Sequence, residues 1–182
     1  QLPLRDPDNE ADYADVKKSL AFYGTERERF CYIQSNGIFE PNNGVFGIEN
    51  HLCYTALYPG ELKDLYMRQA HWNARVAYNM LDLGVDMIHV SDDWGAQKSL
   101  LFSPAFLKEY ILPAHRVTAE AVKKRGALIS LHSDGCVTDA LDGVAELGYN
   151  LFHPWQENAA MPYDLYLRNY QDKFAILGGL CI

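Results

Sequence analysis

Cysteine is scarce in this chain of 182 residues, and its few cysteines are far apart. The four are Cys31, Cys53, Cys136 and Cys181, and no two of them form a C-x-x-C pair. A framework of disulfide bonds is therefore not expected. In a chain of this size, such cysteines indicate reduced thiols and a cytoplasmic protein.

Positive charge and long apolar runs are also lacking. The chain has 16 Lys and Arg against 24 Asp and Glu, which gives a net charge of -8. Such a balance argues against a nucleic-acid partner, because phosphate backbones attract basic surfaces. No run of about 18 apolar residues occurs, so we expect no membrane-spanning segment.

Several common catalytic motifs are missing as well. The sequence contains no G-x-G-x-x-G, P-loop, G-x-S-x-G or H-E-x-x-H pattern, which argues against the familiar nucleotide-binding, serine hydrolase and zincin sites. With 48% apolar residues, the chain can build one domain with a sizeable core. It is nevertheless shorter than the about 250 residues typical of an eight-stranded α/β barrel.

A helical stretch that ends at Gly and leads into a short apolar strand occurs three times, after Gly84, Gly126 and Gly148. The strands end at polar groups, which are Ser91 to Trp94, His132 to Gly135 and His153 to Gln156. Further strands are predicted at 30–35 and at 174–177, the latter ending in Gly178-Gly179. Alternating helices and strands predict a mostly parallel sheet. In barrels and open sheets alike, ligands and catalytic groups collect at the carboxyl ends of such strands.

The remaining segments are assigned from apolar spacing and from Gly and Pro positions. Helices are predicted over 11–23, 48–83 with a break near Pro59-Gly60, 103–125 with a kink at Pro113, 137–147 and 163–170. Residues 1–10 are predicted to be a leading arm, and 36–47 a loop.

The strand after Gly84 places different residues on its two faces. Met87, His89, Ser91 and Asp93 share the face that would point into a barrel, while Ile88 and Val90 would pack against helices. We therefore expect Asp93 to point inward at the strand end, with Asp92 pointing outward or into the loop. The two carboxylates could hold a cation, bind substrate or act as a base, or they could serve only as a helix cap or loop acceptor.

His132 is also predicted to point inward, and Asp134 follows two residues later. Together they offer Zn²⁺ one nitrogen and one oxygen ligand. Alternatively, His132 is a neutral ring bonded to the next strand, and Asp134 caps the following helix. The other histidines within helices or strands, which are His51, His71, His89 and His115, are interpreted as structural.

Five further residues are candidates for substrate binding. Trp94 and Gln97 follow Asp93, and Trp155 and Gln156 follow the strand that ends near His153. Trp155 could wall an apolar pocket and Gln156 could orient a polar group, or both could only pack a loop. Glu40, in a Gly- and Asn-rich stretch, is either a site carboxylate or a solvated one.

Taken together, these residues resemble the uroporphyrinogen decarboxylase superfamily, which includes the corrinoid-dependent methyltransferases. The match covers 30–182 and consists of Gly37-Ile38-Phe39-Glu40, Asp92 to Gln97, Ser103-Pro104, Pro113, His132 to Gly135, Glu146-Leu147-Gly148, Pro154-Trp155-Gln156 and Gly178-Gly179. The resemblance implies a TIM (β/α)8-type barrel, of which 30–182 form the central part and 1–29 an arm and a helix. The missing strands would come from the rest of the protein or from a partner chain.

The resemblance also bears on the reaction. Decarboxylases of this kind carry an Ala-Pro-Trp-Thr-like run after a Gly-Phe, and the corresponding place here reads Gly37-Ile38-Phe39-Glu40-Pro41-Asn42, without that run. The methyltransferases place His-x-Cys where it has His132-Ser133-Asp134, so only the His is shared. A site of His and carboxylates resembles members that demethylate O- or N-methyl compounds. There, Zn²⁺ or an acid would polarise the leaving group, and cobalamin on a separate corrinoid protein would take the methyl.

From this we expect a methyltransferase-like enzyme with Asp93, His132 and Asp92 as its catalytic residues. His132 with Asp134 or Glu40 would bind the metal or act as the acid. Asp93 would orient the substrate with support from Asp92 and Gln97. A decarboxylase of a carboxylated, porphyrinogen-like substrate and a non-catalytic binding barrel remain as alternatives.

Overall fold

A parallel sheet of five strands organises residues 4–179, which are the residues that the computed structural model describes. The strands are β1 (Tyr32–Asn36), β2 (Met87–Ser91), β3 (Leu128–His132), β4 (Leu151–His153) and β5 (Ala175–Ile176). Each strand pairs with the next one in the sequence. All the carboxyl ends therefore meet at one edge, as the alternation of helices and strands predicts. Cys181 lies outside the described residues.

The helices connect these strands and confirm most of the predicted segments. They are α1 (Ala14–Ser19), α2 (Glu40–Phe46), α3 (Ile48–Leu57), α4 (Pro59–Asp82), α5 (Pro104–Phe106), α6 (Leu112–Lys124), α7 (Leu141–Leu147) and α8 (Tyr163–Asn169). Shorter 3-10 turns lie at Glu10–Tyr13, Thr138–Ala140 and Glu157–Ala159, and π turns at Leu20–Glu26 and Leu107–Ile111. The predicted break at Pro59-Gly60 separates α3 from α4.

The prediction of a loop over 36–47 is wrong, because α2 occupies most of it. Pro41 lies in the first turn of α2, where no N–H is needed for a helical hydrogen bond. The first N–H groups of this helix are bonded by a residue far away in the sequence, since the Phe39 and Glu40 amides donate to Asp92. Local composition could not reveal such a cap.

The leading arm packs along α4. The Trp72 indole donates to the Arg5 carbonyl at 2.6 Å, and the Asn79 amide donates to the Pro7 carbonyl at 2.9 Å. Arg75 forms an ion pair with Asp8 at 2.7 Å. Polar contacts thus tie the start of the described chain to the longest helix.

The sheet has one face covered by helices and one face lined by polar groups. Ile88, Ile129, Leu131 and Phe152 point to the covered face and are completely buried. Burying each of these side chains is worth roughly 1.5–3 kcal/mol. The opposite, inner face carries His89 and His132, and at its margins Tyr32 is 55% exposed. The predicted alternation along β2 and β3 is therefore confirmed.

The helix start predicted at Ser103 is also confirmed. The Ser103 hydroxyl accepts a hydrogen bond from the Phe106 amide at 3.1 Å, as a helix N-cap does. Pro113 lies in the first turn of α6, directly after the π turn at Leu107–Ile111. Proline has no backbone N–H to donate within the helix, and the wide π turn before it accommodates the missing hydrogen bond.

No described helix combines the length and the apolar composition that crossing a membrane requires.

His51 on α3 is buried and fully hydrogen-bonded in its neutral form. Its Nδ1 lies 2.8 Å from the Asn43 side-chain oxygen and its Nε2 lies 2.5 Å from the Tyr66 hydroxyl. The ring also stacks on Phe39, with centroids 4.4 Å apart. Burial lowers the pKa of His51 from 6.5 to about 4, which agrees with the structural role predicted for it.

We predict that His51 makes the folded state sensitive to mild acid. Because the pKa of its folded form lies below that of the unfolded form, its contribution is complete above pH 6.5 and is lost as pH falls towards 4. Between pH 7 and pH 5 the wild type should lose about 2 kcal/mol more unfolding free energy than His51→Gln. Urea unfolding at both pH values tests this, and equal losses in the two proteins would contradict it.

Candidate functional site

A buried carboxylate, Asp92, lies directly after β2 and accepts four hydrogen bonds. One oxygen receives the amides of Phe39 and Glu40 at 2.8 and 2.7 Å. The other receives the Trp94 indole at 2.8 Å and is 2.7 Å from Nε2 of His115 on α6. Asp92 is completely buried, so its role in this structure is to join β1, β2 and α6.

The connection from β1 to α2 fits tightly over this carboxylate. A Cβ at Gly37 would lie 2.2 Å from the Asp92 Cβ, so only glycine fits there. The Gly37 carbonyl in turn accepts from Gln69 at 2.8 Å and from Asn73 at 3.1 Å, both on α4. These contacts hold the following residue pair, Phe39 and Glu40, at the end of the sheet.

The loops after β2 and β3 lie against each other. A Cβ at Gly95 would come within 2.3 Å of the Asp134 carbonyl, and one at Gly135 within 2.5 Å of the Gly95 backbone. The Cys136 amide donates to the Ala96 carbonyl at 2.7 Å. Close backbone approach thus brings the segment after Asp93 beside the segment after His132. Cys136 is buried.

On the inner side, Asp93, His132 and His153 form a chain of contacts. Oδ1 of Asp93 lies 3.4 Å from Nε2 of His132 and also accepts the Asp134 amide at 2.8 Å. Nδ1 of His132 lies 2.8 Å from Nδ1 of His153. Asp93 therefore points inward, as predicted, and fixes the ring of His132.

His89 lies on the same inner face, two residues before the end of β2. Its Nδ1 is 2.6 Å from the Ser130 hydroxyl. Burial, reinforced by the neighbouring His153 and His132, lowers the pKa of His89 to about 4. Burial and the neighbouring His132 likewise lower the pKa of His153. Both rings are consequently neutral near pH 7, the form that offers a nitrogen lone pair.

Glu40 is the half-buried first residue of α2, shortly after β1. Its Oε2 accepts a hydrogen bond from the Ser91 hydroxyl at 3.3 Å. The structure therefore brings Glu40 to the edge where Asp93 and His132 lie, and not to a solvated loop.

An open cleft of about 520 Å³ adjoins Asp134. Gln97, Gln156 and Asn158 contribute amide side chains to its walls, and Oε1 of Gln156 accepts the Gly135 amide at 2.5 Å. Gln97 and Asp134 are exposed. The cleft therefore offers polar but uncharged groups beside one carboxylate, which suits a small polar molecule.

Trp94 and Trp155 occupy different surroundings from those predicted. Both are buried, at 0% and 1% exposure. The Trp94 ring packs edge-on against His115 at 4.9 Å, and the Trp155 indole donates to the Met161 carbonyl at 2.7 Å. Their rings contact protein in this structure, so substrate contact by either tryptophan stays a prediction.

Two groups of side chains at this edge have donors close enough for one metal ion. They are Asp93, His132 and Asp134, and His89, His132 and His153, with the donor atoms of each group within 4.8 Å of one another. Nitrogen and carboxylate oxygen donors suit Zn²⁺. The predicted pair His132 and Asp134 thus lies together, and His132 belongs to both groups.

Sequence reasoning missed His89 and did not single out His153. The alternation along β2 already placed His89 on the inner face, but a histidine in mid-strand was interpreted as structural. The pairing of β3 with β4 sets His132 directly opposite His153, and this register is not visible from one strand alone.

Positive charge is almost absent from this edge. Among the described residues between each strand end and the next helix, Lys98 is the only Lys or Arg, and it is exposed. The inner side instead carries Glu40, Asp93 and Asp134. A strongly anionic substrate would find only this one exposed lysine as a cationic partner among these described segments.

Comparison with known proteins gives one family match and a match of fold. The family model described as uroporphyrinogen decarboxylase (URO-D) matches residues 42–180. A solved methyltransferase from Methanosarcina mazei is 13% identical, with a TM-score of 0.66, over 91% of this chain and 58% of that one. The chain thus spans little more than half of that methyltransferase. No curated protein matches it.

We predict that the neighbouring residues Asp92 and Asp93 differ sharply in their effect on stability. Asp92→Asn would set an amide against the Trp94 and His115 donors, so it should lower the unfolding free energy by about 3 kcal/mol. Asp93→Asn keeps an acceptor for the Asp134 amide and should cost less than about 1 kcal/mol. Urea unfolding of both variants at pH 7 measures the difference, and equal costs would show that Asp92 is not the anchor of this edge.

Proposed function

Because this chain belongs to the uroporphyrinogen decarboxylase family, we propose that it is part of a metal-assisted methyltransferase. The substrate is a small O- or N-methylated compound, and the acceptor is a cobalamin carried by a separate corrinoid protein. The activity is that of the complete protein, since the chain spans 58% of the methyltransferase that it resembles. The observation that carries the proposal is the cluster of histidines and carboxylates at the carboxyl ends of the strands.

The chemistry explains why such a cluster suits methyl transfer. The methyl group leaves without the bonding electron pair, which stays on the oxygen or nitrogen and must be stabilised there. A bound divalent metal acts as a Lewis acid towards that leaving atom. His132 and Asp134 are the proposed metal ligands, and Asp93 fixes the His132 ring through its 3.4 Å contact.

The other predicted residues serve around this centre. Glu40, supported by Ser91 at 3.3 Å, is placed to bind the substrate or to return a proton to the leaving atom. Gln97 and Gln156 line the cleft beside Asp134 and orient the polar part of the substrate. Asp92 is a positioning residue, because its side chain holds Glu40 and the end of β2 in place.

The exposure of this edge fits an acceptor on another protein. Asp134 and Gln97 are exposed, so the substrate would lie where a partner can reach it. The proposed location is the cytoplasm, for which the free thiols among the described residues, Cys31, Cys53 and Cys136, are the support.

The family match itself favours decarboxylation as a second candidate. A decarboxylase of a substrate with many carboxylates must offset that negative charge, and basic side chains do so in low dielectric surroundings. Of the described residues after the strand ends, only the exposed Lys98 is basic. This distribution of charge favours methyl transfer over decarboxylation.

We predict that the full-length protein binds close to one zinc per chain and that His132→Ala loses it. The reason is that His132 is shared by both donor groups. His71→Ala is the matched control, because His71 is exposed on α4, away from this edge, and it should keep its zinc. Zinc content by atomic emission after gel filtration measures all three proteins.

Methyl transfer to a cobalamin acceptor should fall with the zinc in His132→Ala and stay unchanged in His71→Ala. Cobalamin absorbance with methoxy and methylamino substrates follows the reaction. A zinc-free wild type that releases CO₂ from a carboxylated porphyrinogen would sink the proposal in favour of the decarboxylase. If no activity or ligand affinity changes on His132→Ala or Asp93→Ala, the barrel has only a binding role.

A further inference from the structure

Three histidine rings converge on the inner face of the sheet from three neighbouring strands. His89 belongs to β2, His132 to β3 and His153 to β4. Their ring centroids are 5.0 Å apart for His132 and His153, 5.6 Å for His89 and His153, and 6.1 Å for His89 and His132. Such a triangle is compact for three side chains that repel one another once protonated.

The dimensions of this triangle are close to those of three histidines that share a metal ion. Three imidazoles bound tetrahedrally to one zinc at about 2.1 Å have ring centroids about 5 to 5.5 Å apart and ligating nitrogens about 3.4 Å apart. The His132–His153 centroid distance of 5.0 Å lies in that range, and the other two, 5.6 and 6.1 Å, are somewhat longer. One donor nitrogen of each ring lies within 4.8 Å of those of the other two, so the rings would close slightly on a bound ion.

The second nitrogen of two of these rings also faces a polar partner. Nδ1 of His89 faces the Ser130 hydroxyl at 2.6 Å, and Nε2 of His132 faces Asp93 at 3.4 Å. Metal-binding histidines commonly use their second nitrogen in this way, which fixes the tautomer and aims the first nitrogen at the ion.

We propose that His89, His132 and His153 form a three-nitrogen site for a divalent metal such as Zn²⁺. This inference rests on the proposed function, but it assigns the main ligands of the metal to the three histidines and leaves Asp134 as a weaker ligand. Asp134 is exposed, and Asp93 already contacts His132. The carboxylates therefore lie at the rim, as weaker oxygen ligands or substrate contacts.

The test measures Zn²⁺ affinity of the metal-stripped full-length protein with a competing chelator, without any substrate. His89→Gln and His153→Gln should each weaken binding by more than about 100-fold, beyond the 10- to 100-fold cost of losing an outer partner. Ser130→Ala should fall within that outer range. Asp134→Asn should weaken binding by about 10-fold or less, and His71→Gln should not change it.

Tetrahedral Co²⁺ coordination supplies a second readout that does not depend on affinity alone. The wild type loaded with Co²⁺ should show the intense visible bands of a four-coordinate site, and His89→Gln and His153→Gln should lose them. Circular dichroism of each metal-free variant establishes that it is folded, and a variant that fails is replaced by the corresponding Asn substitution.

The outcomes separate this inference from the proposed function. If Asp134→Asn abolishes binding while His89→Gln and His153→Gln keep it, the three-histidine site is wrong and the metal-assisted reaction stands. If the wild type binds no metal but still transfers methyl groups, the site is wrong and the reaction uses an acid instead. If it binds metal through the three histidines yet transfers no methyl group, the site stands and the proposed function fails.

Discussion

The carboxylate of Asp92 is the constraint on which the edge of the sheet depends. It is completely buried, and a buried charge is costly unless each of its oxygens is bonded. Here four donors from three parts of the chain converge on it, which are two amides at the start of α2, the Trp94 indole and the His115 ring. The Asp92 amide in turn donates to the carbonyl of His132. One residue, through its side chain and its backbone amide, thus fixes the ends of β1, β2 and β3 relative to one another.

The adjacent residues Asp92 and Asp93 consequently have different roles. Strand alternation sends Asp92 to the helix side and Asp93 to the inner side. Both oxygens of Asp92 are bonded to groups that hold the fold together. Asp93 contacts His132 and the Asp134 amide and remains partly exposed. Asp92 is completely buried and bonded, so only Asp93 of the two is accessible to a substrate in this structure. The catalytic roles expected for both stay predictions.

The fold was largely predictable because its signals are local. Gly84, Gly126 and Gly148 have positive φ angles, as expected where helices end, and apolar runs identified the strands that follow. Helix α2 was not predictable, since its first N–H groups are bonded by Asp92, some fifty residues away. Among site residues, the inward direction of Asp93 and His132 followed from alternation within one strand. The convergence of His89 and His153 on His132 depends on strand register and sheet curvature, which a single sequence does not display.

Possible metal ligands on the inner face change with depth, from nitrogen donors within the strands to oxygen donors beyond the strand ends. His89 lies deeper, two residues before the end of β2, whereas Glu40, Asp93 and Asp134 follow the strand ends. Neutral imidazoles tolerate burial better than carboxylates, because no charge has to leave water. A metal held by the deeper nitrogens would supply the positive charge that this edge otherwise lacks. The carboxylates at the rim would then face the substrate.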